Sequence, residues 1–272
     1  KLAGSMSCMA KPFEDPKVYF VIPLYGRNQA KDWAMVCRNL ATTLASLIQQ
    51  TDPNWQAFIC SQDRPEGFPD DPRIHYIPFE GEYARQAAEK DGFDNALKKK
   101  CVFDHMNRHC RASGYLFQLD ADDILHPSLV EYIRSDNNGT GYIIDRGYMC
   151  HAETYEMGFL QPWSLRHFRA KPFYKHCGSC AALRLDMSKG VEGNEHIAKR
   201  GAHKSLPETM RGFELPLSPI PFHAALYMVG HGENMRERRG KIQMKFKYIR
   251  QNLVKDHLVT SIVQEFGLPA LK

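Results

Sequence analysis

The stretch Tyr115-Leu-Phe-Gln-Leu-Asp-Ala-Asp-Asp123 joins a short apolar run to three carboxylates. Its first five residues, Tyr115–Leu119, predict a buried β-strand, because short apolar runs rich in aromatic residues are typical of such strands. Three aspartates within four positions repel one another, so a cation or strong hydrogen bonds must offset their charge. Carboxylate oxygens suit Mg²⁺ or Mn²⁺. The pattern therefore favours a metal site; the alternative is an acidic cap on a helix that begins near Pro127.

Alternating strands and helices precede this stretch. Apolar runs predict strands at Val18–Pro23, Gln56–Cys60 and Ile74–Phe79. Apolar residues at helical spacing predict helices over Gln29–Gln50 and from about Asp94 to Ala112. This alternation predicts an α/β fold, in which a mostly parallel central sheet is flanked by helices. In such sheets, ligands bind beyond the carboxyl ends of the strands, which is where the three aspartates stand.

Composition limits the class of protein. The chain has 272 residues, of which 43% are hydrophobic and 25% charged, so it is globular and can bury a large core. Its net charge of +5 suits an anionic ligand but is too small to indicate a nucleic-acid partner. The eight cysteines are scattered, which favours buried free thiols in a reducing, cytoplasmic setting. The pair Cys177 and Cys180 has no partner pair at zinc-finger spacing, so a zinc or redox role is the weaker alternative.

The second half of the chain is less regular. The pattern predicts a short helix over Pro127–Ile133 and strands at Tyr142–Asp145 and Cys180–Leu185. The glycine, proline and histidine content from 158 to 221 indicates loops that shape a binding cleft. No linker interrupts the sequence, so 18–272 is expected to be one domain after an N-terminal tag remnant and loop at 1–17.

Three motifs carry a family resemblance: Phe20-Val-Ile-Pro-Leu-Tyr25, Cys60-Ser-Gln-Asp63 and Phe117-Gln-Leu-Asp-Ala-Asp-Asp123. In this order and at strand ends, they resemble the nucleotide-sugar half of a GT-A fold glycosyltransferase and are similar to glycosyltransferase family 2. The resemblance implies that 18–123 binds the nucleotide sugar and that 124–235 holds the acceptor and part of the metal site. The remaining segment, 236–272, is expected to be basic and helical from its own charge and apolar spacing.

The resemblance also implies donor-binding residues. Pro23, Tyr25 and Arg27 would line the nucleoside pocket, and Asp63 would accept hydrogen bonds from the base or ribose. Family members carry a basic residue on the helix before the aspartates. Lys100 is our choice for that residue, although Lys98-Lys-Lys100 departs from the family spacing and a solvated lysine run is the alternative.

The metal ligands follow from the same resemblance. Asp120 would contact ribose and metal, and Asp122 or Asp123 would bind Mn²⁺ or Mg²⁺ together with the diphosphate. Metal-dependent members often add a C-terminal histidine. His231 lies between two glycines after an apolar run, so it is the expected ligand.

The catalytic base is less well defined by the sequence. The family places it in a Glu-Asp pair that opens a helix, and the corresponding stretch here contains Glu195 and His196. Both can accept a proton, so both are expected candidates, and His203 is a third.

A basic segment at 236–255 holds eight Lys or Arg and one acid. An apolar stripe runs through it at helical spacing, formed by Ile242, Phe246, Ile249 and Leu253. Such a helix can lie on an anionic membrane surface or bind an anionic glycan; the alternative is an ordinary surface helix. Arg236, Arg238 and Arg239 could instead bind a diphosphate.

Together these features predict a metal-dependent glycosyltransferase that uses a UDP-sugar, with inversion, on a glycan or lipid-linked acceptor, as in polysaccharide biosynthesis. The expected location is cytoplasmic, with peripheral membrane contact through 236–255 and no nucleic-acid partner. Two alternatives stay open: a sugar-nucleotide nucleotidyltransferase and a non-catalytic nucleotide- or carbohydrate-binding module. The loop Leu24-Tyr-Gly-Arg-Asn28 lacks the glycine-rich, basic composition of the first alternative.

Overall fold

The computed structural model describes residues 11–88, 94–238 and 240–269. Eleven strands lie in these ranges: Lys17–Pro23 (β1), Trp55–Ser61 (β2), Ile74–Pro78 (β3), Gly114–Gln118 (β4), Ile124–Leu125 (β5), Gly141–Ile143 (β6), Gly147–His151 (β7), Met157–Leu160 (β8), Ala181–Leu185 (β9), Ser218–Pro219 (β10) and Ala225–Val229 (β11). The first ten residues of the predicted tag remnant lie outside the described residues.

The main sheet has seven strands in the order β10-β6-β9-β4-β1-β2-β3. Strand β1 is central, and its residues 18–22 are at most 2% exposed because both faces of the sheet are covered. It pairs in parallel with β2 and with β4, and β2 pairs in parallel with β3. Strand β9 runs antiparallel to both β4 and β6. The carboxyl ends of β1, β2, β3, β4 and β6 therefore meet at one edge, which we call the ligand edge.

The helices span Trp33–Ile48 (α1), Gly81–Ala88 (α2), Asn95–His109 (α3), Leu129–Asp136 (α4), Glu195–Ala198 (α5), Leu206–Gly212 (α6), Met235–Arg238 (α7), Gln243–Gln251 (α8) and Asp256–Glu265 (α9). Helix α1 begins four residues later than its periodicity suggests. The Asp32 side chain accepts the Met35 N–H at 2.9 Å and so caps the helix at that point. Helix α3 packs against β1 and β2. The predicted fold class, a mostly parallel sheet flanked by helices, is confirmed.

A second sheet places the chain's later half beside the acidic stretch. It has the order β5-β11-β7-β8. Strand β5 begins at the residue after Asp123 and pairs antiparallel with β11, with Ile124 opposite Leu226. Strand β11 ends two residues before His231. This pairing brings His231 to the ligand edge.

The described residues of the basic segment at 236–255 include most of α7, all of α8 and parts of the chain beside them. Ile249 is 1% exposed, and Ile242 and Phe246 pack against the main core. The predicted stripe therefore faces the protein, and its fourth member, Leu253, is exposed. This packing does not support the expected membrane contact. No helix in the described ranges is long and apolar enough to cross a membrane.

Cysteines in the described ranges are free thiols. All but Cys110 are buried, as expected for small core residues. Cys177 donates its thiol hydrogen to Oδ2 of Asp123 at 2.9 Å. Burial raises the pKa of Cys180 to about 12, so this thiol is protonated at neutral pH. The Cys177 and Cys180 pair thus belongs to the protein interior.

Candidate functional site

The acidic stretch leaves β4 at the ligand edge, and its three aspartates have different surroundings. Asp123 is fully buried: its Oδ2 accepts hydrogen bonds from Ser179 Oγ at 2.6 Å and from Cys177, and its Oδ1 accepts the Met228 N–H at 3.3 Å. Burial and the charges of Asp122 and Asp120 raise its pKa well above the usual range, although the hydrogen bonds oppose the shift. Asp123 thereby links the end of β4 to the segment that precedes β9 and to β11.

Asp122 contacts the histidine that the sequence singled out. Oδ2 of Asp122 lies 2.9 Å from Nε2 of His231. The other ring nitrogen, Nδ1, faces Asn39 Nδ2 at 3.1 Å and the Glu233 N–H at 3.3 Å. Because both of these groups are donors, Nδ1 accepts, and in the neutral ring Nε2 carries the hydrogen that points at Asp122.

The loop around His231 is held in place by two carboxylates. Gly230 and Gly232 have φ angles of 88° and 86°, which favour glycine, and both donate their N–H groups to Glu237. Glu233 is 5% exposed and accepts the Asp32 N–H at 2.7 Å, in the loop that follows β1. These contacts fix His231 between the β1 loop and Asp122. Burial lowers the pKa of His231, but the hydrogen bond and charge of Asp122 outweigh it, so the pKa is raised.

Asp120 completes the acidic group on the face of the sheet that α3 covers. Its N–H donates to Ser179 Oγ at 2.9 Å. Burial and the Asp122 charge raise its pKa, whereas the cations Lys99 and Arg200 oppose the shift. Ligand atoms of Asp120, Asp123 and Cys177 lie within 4.8 Å of one another, close enough to share an ion.

The predicted donor residues meet at the ends of β1 and β2. Pro23 lies opposite Cys60 in the parallel register. The backbone N–H of Arg27 donates to Asp63 Oδ2 at 2.7 Å, and its guanidinium pairs with Glu66 at 3.0 Å. Tyr25 is held at the same point, since its carbonyl accepts the Ser61 hydroxyl at 3.0 Å.

Arg238 contacts the loop that follows β1. Its guanidinium lies 5.1 Å from the Tyr25 ring centre, and Nη2 donates to the Gln29 carbonyl at 2.6 Å. Burial raises the pKa of Tyr25; Arg238 opposes the shift, and the charges of Asp122 and Asp120 add to it. Arg239 and the Arg236 side chain, which the sequence offered beside Arg238, lie outside the described residues.

The three consecutive lysines on α3, Lys98 to Lys100, have three different environments. Lys98 is 1% exposed; its Nζ lies 2.8 Å from Asp94 Oδ2 and 2.6 Å from the Leu24 carbonyl. Lys99 faces Asp120 and lines a cavity of about 630 Å³. Lys100, the residue chosen from the sequence, has a side chain that is 61% exposed and pairs with Asp104 at 2.6 Å.

Of the three base candidates, the cavity lining includes only His203. Glu195 has a side chain that is 53% exposed and pairs with Lys199. His196 is 5% exposed, and its Nε2 donates to the Arg184 carbonyl at 2.7 Å. His203 donates from Nδ1 to the Tyr174 carbonyl, so Nε2 of the neutral ring keeps its lone pair. Burial lowers the pKa of His203, which favours this neutral form.

Sequence reasoning missed Lys99, Arg200 and Ser179. Lys99 was visible within the lysine run, but only its position on α3 distinguishes it from its neighbours. Arg200 lies four residues after His196 and Ser179 lies between Cys177 and Cys180, but the sequence assigned neither of them a role.

No protein-family model matches the sequence, and a search of curated proteins finds no similar sequence. Among solved structures, the chain is similar to two crystal structures of the glycosyltransferase GlyE from Streptococcus pneumoniae TIGR4, one of them the apo form. The apo form gives a TM-score of 0.39 and 10% identity over 91% of this chain and 63% of its own. The second structure gives a TM-score of 0.38 and 11% identity over 95% of this chain and 66% of its own. This chain therefore spans slightly less than two thirds of the length of each GlyE chain.

Proposed function

We propose that the protein is a metal-dependent glycosyltransferase of GT-A type that moves a sugar from a UDP-sugar to a hydroxyl acceptor. The observation that carries the proposal is the contact between Asp122 and His231 at the ligand edge, beside Asp120 and the predicted donor residues. Residues 18–272 would then form one catalytic domain, with the donor half and the acceptor half meeting at this edge.

The carboxylates of Asp120 and Asp122 suit a hard divalent cation, and we assign these two side chains as the ligands. His231, the ligand expected from the sequence, would instead orient the Asp122 carboxylate. Its Nε2 hydrogen points at Oδ2 of Asp122 at 2.9 Å, and its Nδ1 already accepts hydrogen bonds. Asp123 would support the two ligands, because its oxygens already accept hydrogen bonds. A thiolate suits softer metals, so Cys177 is left outside this set. Bound Mn²⁺ or Mg²⁺ would supply Lewis-acid stabilisation of the diphosphate leaving group.

The chain's own residues would bind and orient the donor. Asp63 can accept hydrogen bonds from the base or ribose while it holds the Arg27 backbone. Tyr25 offers an aromatic face at the end of β1. The Arg238 guanidinium lies beside the Tyr25 ring, where it can bind a phosphate oxygen.

We propose His203 as the general base. An acceptor hydroxyl must lose a proton as it attacks the anomeric carbon, and a group with a free lone pair near the acceptor can take it. His203 lines the same cavity as Asp120, whereas Glu195 and His196 have other partners. A base on the side opposite the leaving group would give a single displacement with inversion.

Thermal denaturation with nucleotides tests the donor site. UDP is expected to raise the melting temperature in the presence of Mn²⁺ and to have little effect when EDTA replaces the metal. Indifference to UDP, ADP and GDP under both conditions would contradict the proposal.

Product analysis separates the alternatives. A glycosyltransferase transfers the sugar of a UDP-sugar to an acceptor or to water and releases UDP, and we expect Asp122→Asn to reduce this activity strongly. A nucleotidyltransferase instead transfers UMP from UTP to a sugar phosphate and releases pyrophosphate. Nucleotide binding without turnover of any donor would favour a binding module.

A further inference from the structure

A cavity of about 630 Å³ lies between α3 and the segment 191–203, against the face of β1 and β4. Most of its wall is apolar, including Val21, Leu97, Phe103, Leu116, Val191 and Ile197. A mostly apolar cavity of a few hundred Å³ with a few polar groups is typical of a small-molecule site. Because Asp120 lines the cavity, the cavity adjoins the candidate active site and is not a separate part of the fold.

Arg200 places a buried positive charge in this wall. The residue is 8% exposed, and its Nε has no hydrogen-bond partner among the residues that the structure describes. Its guanidinium contacts the Cys180 thiol, and burial holds that thiol in its neutral form. A buried guanidinium is costly without a counter-charge, and its N–H groups are matched to phosphate or carboxylate oxygens. The Nε atom without a partner indicates that a ligand supplies the missing hydrogen-bond acceptor for the Arg200 guanidinium.

Lys99 adds a second cation to the cavity. No hydrogen bond or ion pair joins its ammonium to any of the residues at 11–88, 94–238 and 240–269. Burial lowers the pKa of Lys99; the Asp120 charge opposes the shift, and the Arg200 charge adds to it. Because Lys99 and Arg200 line the same mostly apolar cavity, they form a site for an anion.

Among the other charged groups that line the cavity, only Asp120 can offset this pair. Lys100 and Asp104 also line it, but they pair with each other at 2.6 Å. His203 is neutral, because burial lowers its pKa. Asp120 is left as the counter-charge for both Lys99 and Arg200, and in the proposed enzyme it binds the cation as well.

The proposed function places the acceptor at this cavity. Pro23, Tyr25, Arg27 and Asp63, the residues proposed to bind the donor, are absent from its lining. His203, the proposed base, is present, and a base must lie beside the acceptor hydroxyl.

We propose that this cavity binds an organic anion, with Arg200 and Lys99 holding a phosphate or carboxylate group and the apolar wall holding the rest of the molecule. The identity of this anion as the sugar acceptor rests on the proposed function; the binding site itself does not. The acceptor class that follows is a hydroxyl compound with one anionic group and an apolar body.

Calorimetric titration of the purified chain with octyl phosphate tests the site. Three further compounds are titrated in parallel, and the amphiphiles are kept below their micellar concentrations. Octanoate replaces the phosphate with a carboxylate, octanol removes the charge, and inorganic phosphate removes the apolar body. We expect octyl phosphate or octanoate to bind, and octanol and inorganic phosphate to bind more weakly. Arg200→Gln and Lys99→Gln should each weaken binding about 10- to 100-fold, as expected for the loss of a charge-assisted hydrogen bond.

Lys199→Gln is the matched control, because Lys199 adjoins Arg200 in sequence but pairs with Glu195 outside the cavity. It should bind octyl phosphate as the unmodified chain does. If Arg200→Gln does not fold, Lys99→Gln and Arg200→Lys carry the test. Equal binding of octanol and octyl phosphate, or unchanged binding in the folded Lys99→Gln variant, would overturn the proposal.

A UDP titration with Mn²⁺ separates this inference from the proposed function. We expect UDP to bind Lys99→Gln and Arg200→Gln nearly as well as the unmodified chain. A parallel loss of UDP and octyl phosphate would assign the two cations to the donor diphosphate and overturn the acceptor site. Failure of UDP to bind any form, with octyl phosphate binding intact, would refute the glycosyltransferase and leave the anion site standing.

Discussion

Nε2 of His231 lies 2.9 Å from Oδ2 of Asp122, although 109 positions separate the two residues in the chain. The pairing of β5 with β11 creates this contact, and the carboxylates of Glu233 and Glu237 secure the loop that presents the ring. The contact joins the two halves of the candidate active site.

Asp122→Asn is expected to lower UDP-sugar turnover by about 100-fold or more, because it removes a charged ligand and the partner of His231. Turnover and Mn²⁺-dependent stabilisation by UDP are the measurements. Asp70→Asn, at an exposed carboxylate away from the site, serves as the control. Equal turnover in the Asp122 and Asp70 variants would remove Asp122 from the metal site.

Ser179→Ala is expected to lower the free energy of unfolding by about 1–3 kcal/mol, since buried Asp123 loses its 2.6 Å hydrogen bond. Urea denaturation measures the change. Ser135 is exposed and donates only to the Tyr132 carbonyl, so Ser135→Ala should stay within about 0.5 kcal/mol of the unmodified chain. A similar small effect at Ser179 would show that the Asp123 hydrogen bonds contribute little to stability.

Lys98→Met is expected to destabilise the fold by about 3–5 kcal/mol, because Asp94 would remain buried without its cation. Lys100→Met is the neighbouring control and should cost at most about 1 kcal/mol, since its ion pair is exposed. Denaturant midpoints of the two variants test the difference. The double variant Lys98→Met with Asp94→Leu should recover part of the lost stability. Equal destabilisation by Lys98→Met and Lys100→Met would show that the buried ion pair of Lys98 is no more important than the exposed pair of Lys100.

Below pH 6.5, His223 is expected to make the fold less stable. Burial, with a smaller effect of Arg146, lowers its pKa from 6.5 to about 4. The unfolded chain therefore binds a proton between pH 6.5 and 4 that the folded chain does not, so the stability present above pH 6.5 is lost as the pH falls.

Substitution His223→Phe tests this pH dependence. The ring is stacked on Tyr148 at 4.6 Å, so an aromatic replacement keeps the packing. Between pH 6.5 and 4, the free energy of unfolding of the variant should fall by about 1.4 kcal/mol less per pH unit than that of the unmodified chain. Urea denaturation at several pH values measures this difference. Identical pH profiles for the variant and the unmodified chain would show that His223 takes up no proton on unfolding.

The local pattern of apolar residues predicted most strands of the main sheet. The apolar runs at 18–23, 56–60, 74–79 and 115–119 all became strands of the main sheet, because runs of this kind are stable only when both faces are covered. Helix ends were less accurate, since caps such as the Asp32 side chain decide them. The placement of the acidic stretch after a strand was also readable, and with it the edge at which the candidate site lies.

The roles of individual side chains depended on the tertiary structure. Lys98, Lys99 and Lys100 are chemically identical and adjacent, yet an α-helix turns them about 100° apart, so one is buried in an ion pair, one faces the cavity and one lies at the surface. The sequence assigned Arg200 no role, and its charge becomes informative only once the fold has buried it beside Asp120.

The sequence by itself determined the α/β architecture and the edge that carries the acidic stretch, because short-range periodicity and residue chemistry are local properties. The candidacy of His231 came from the family resemblance. Only the tertiary structure decided which aspartate meets His231, which lysine faces the cavity and which base candidate lines it. These depend on contacts between residues far apart in the chain, and such contacts form only when the two sheets and α3 pack together.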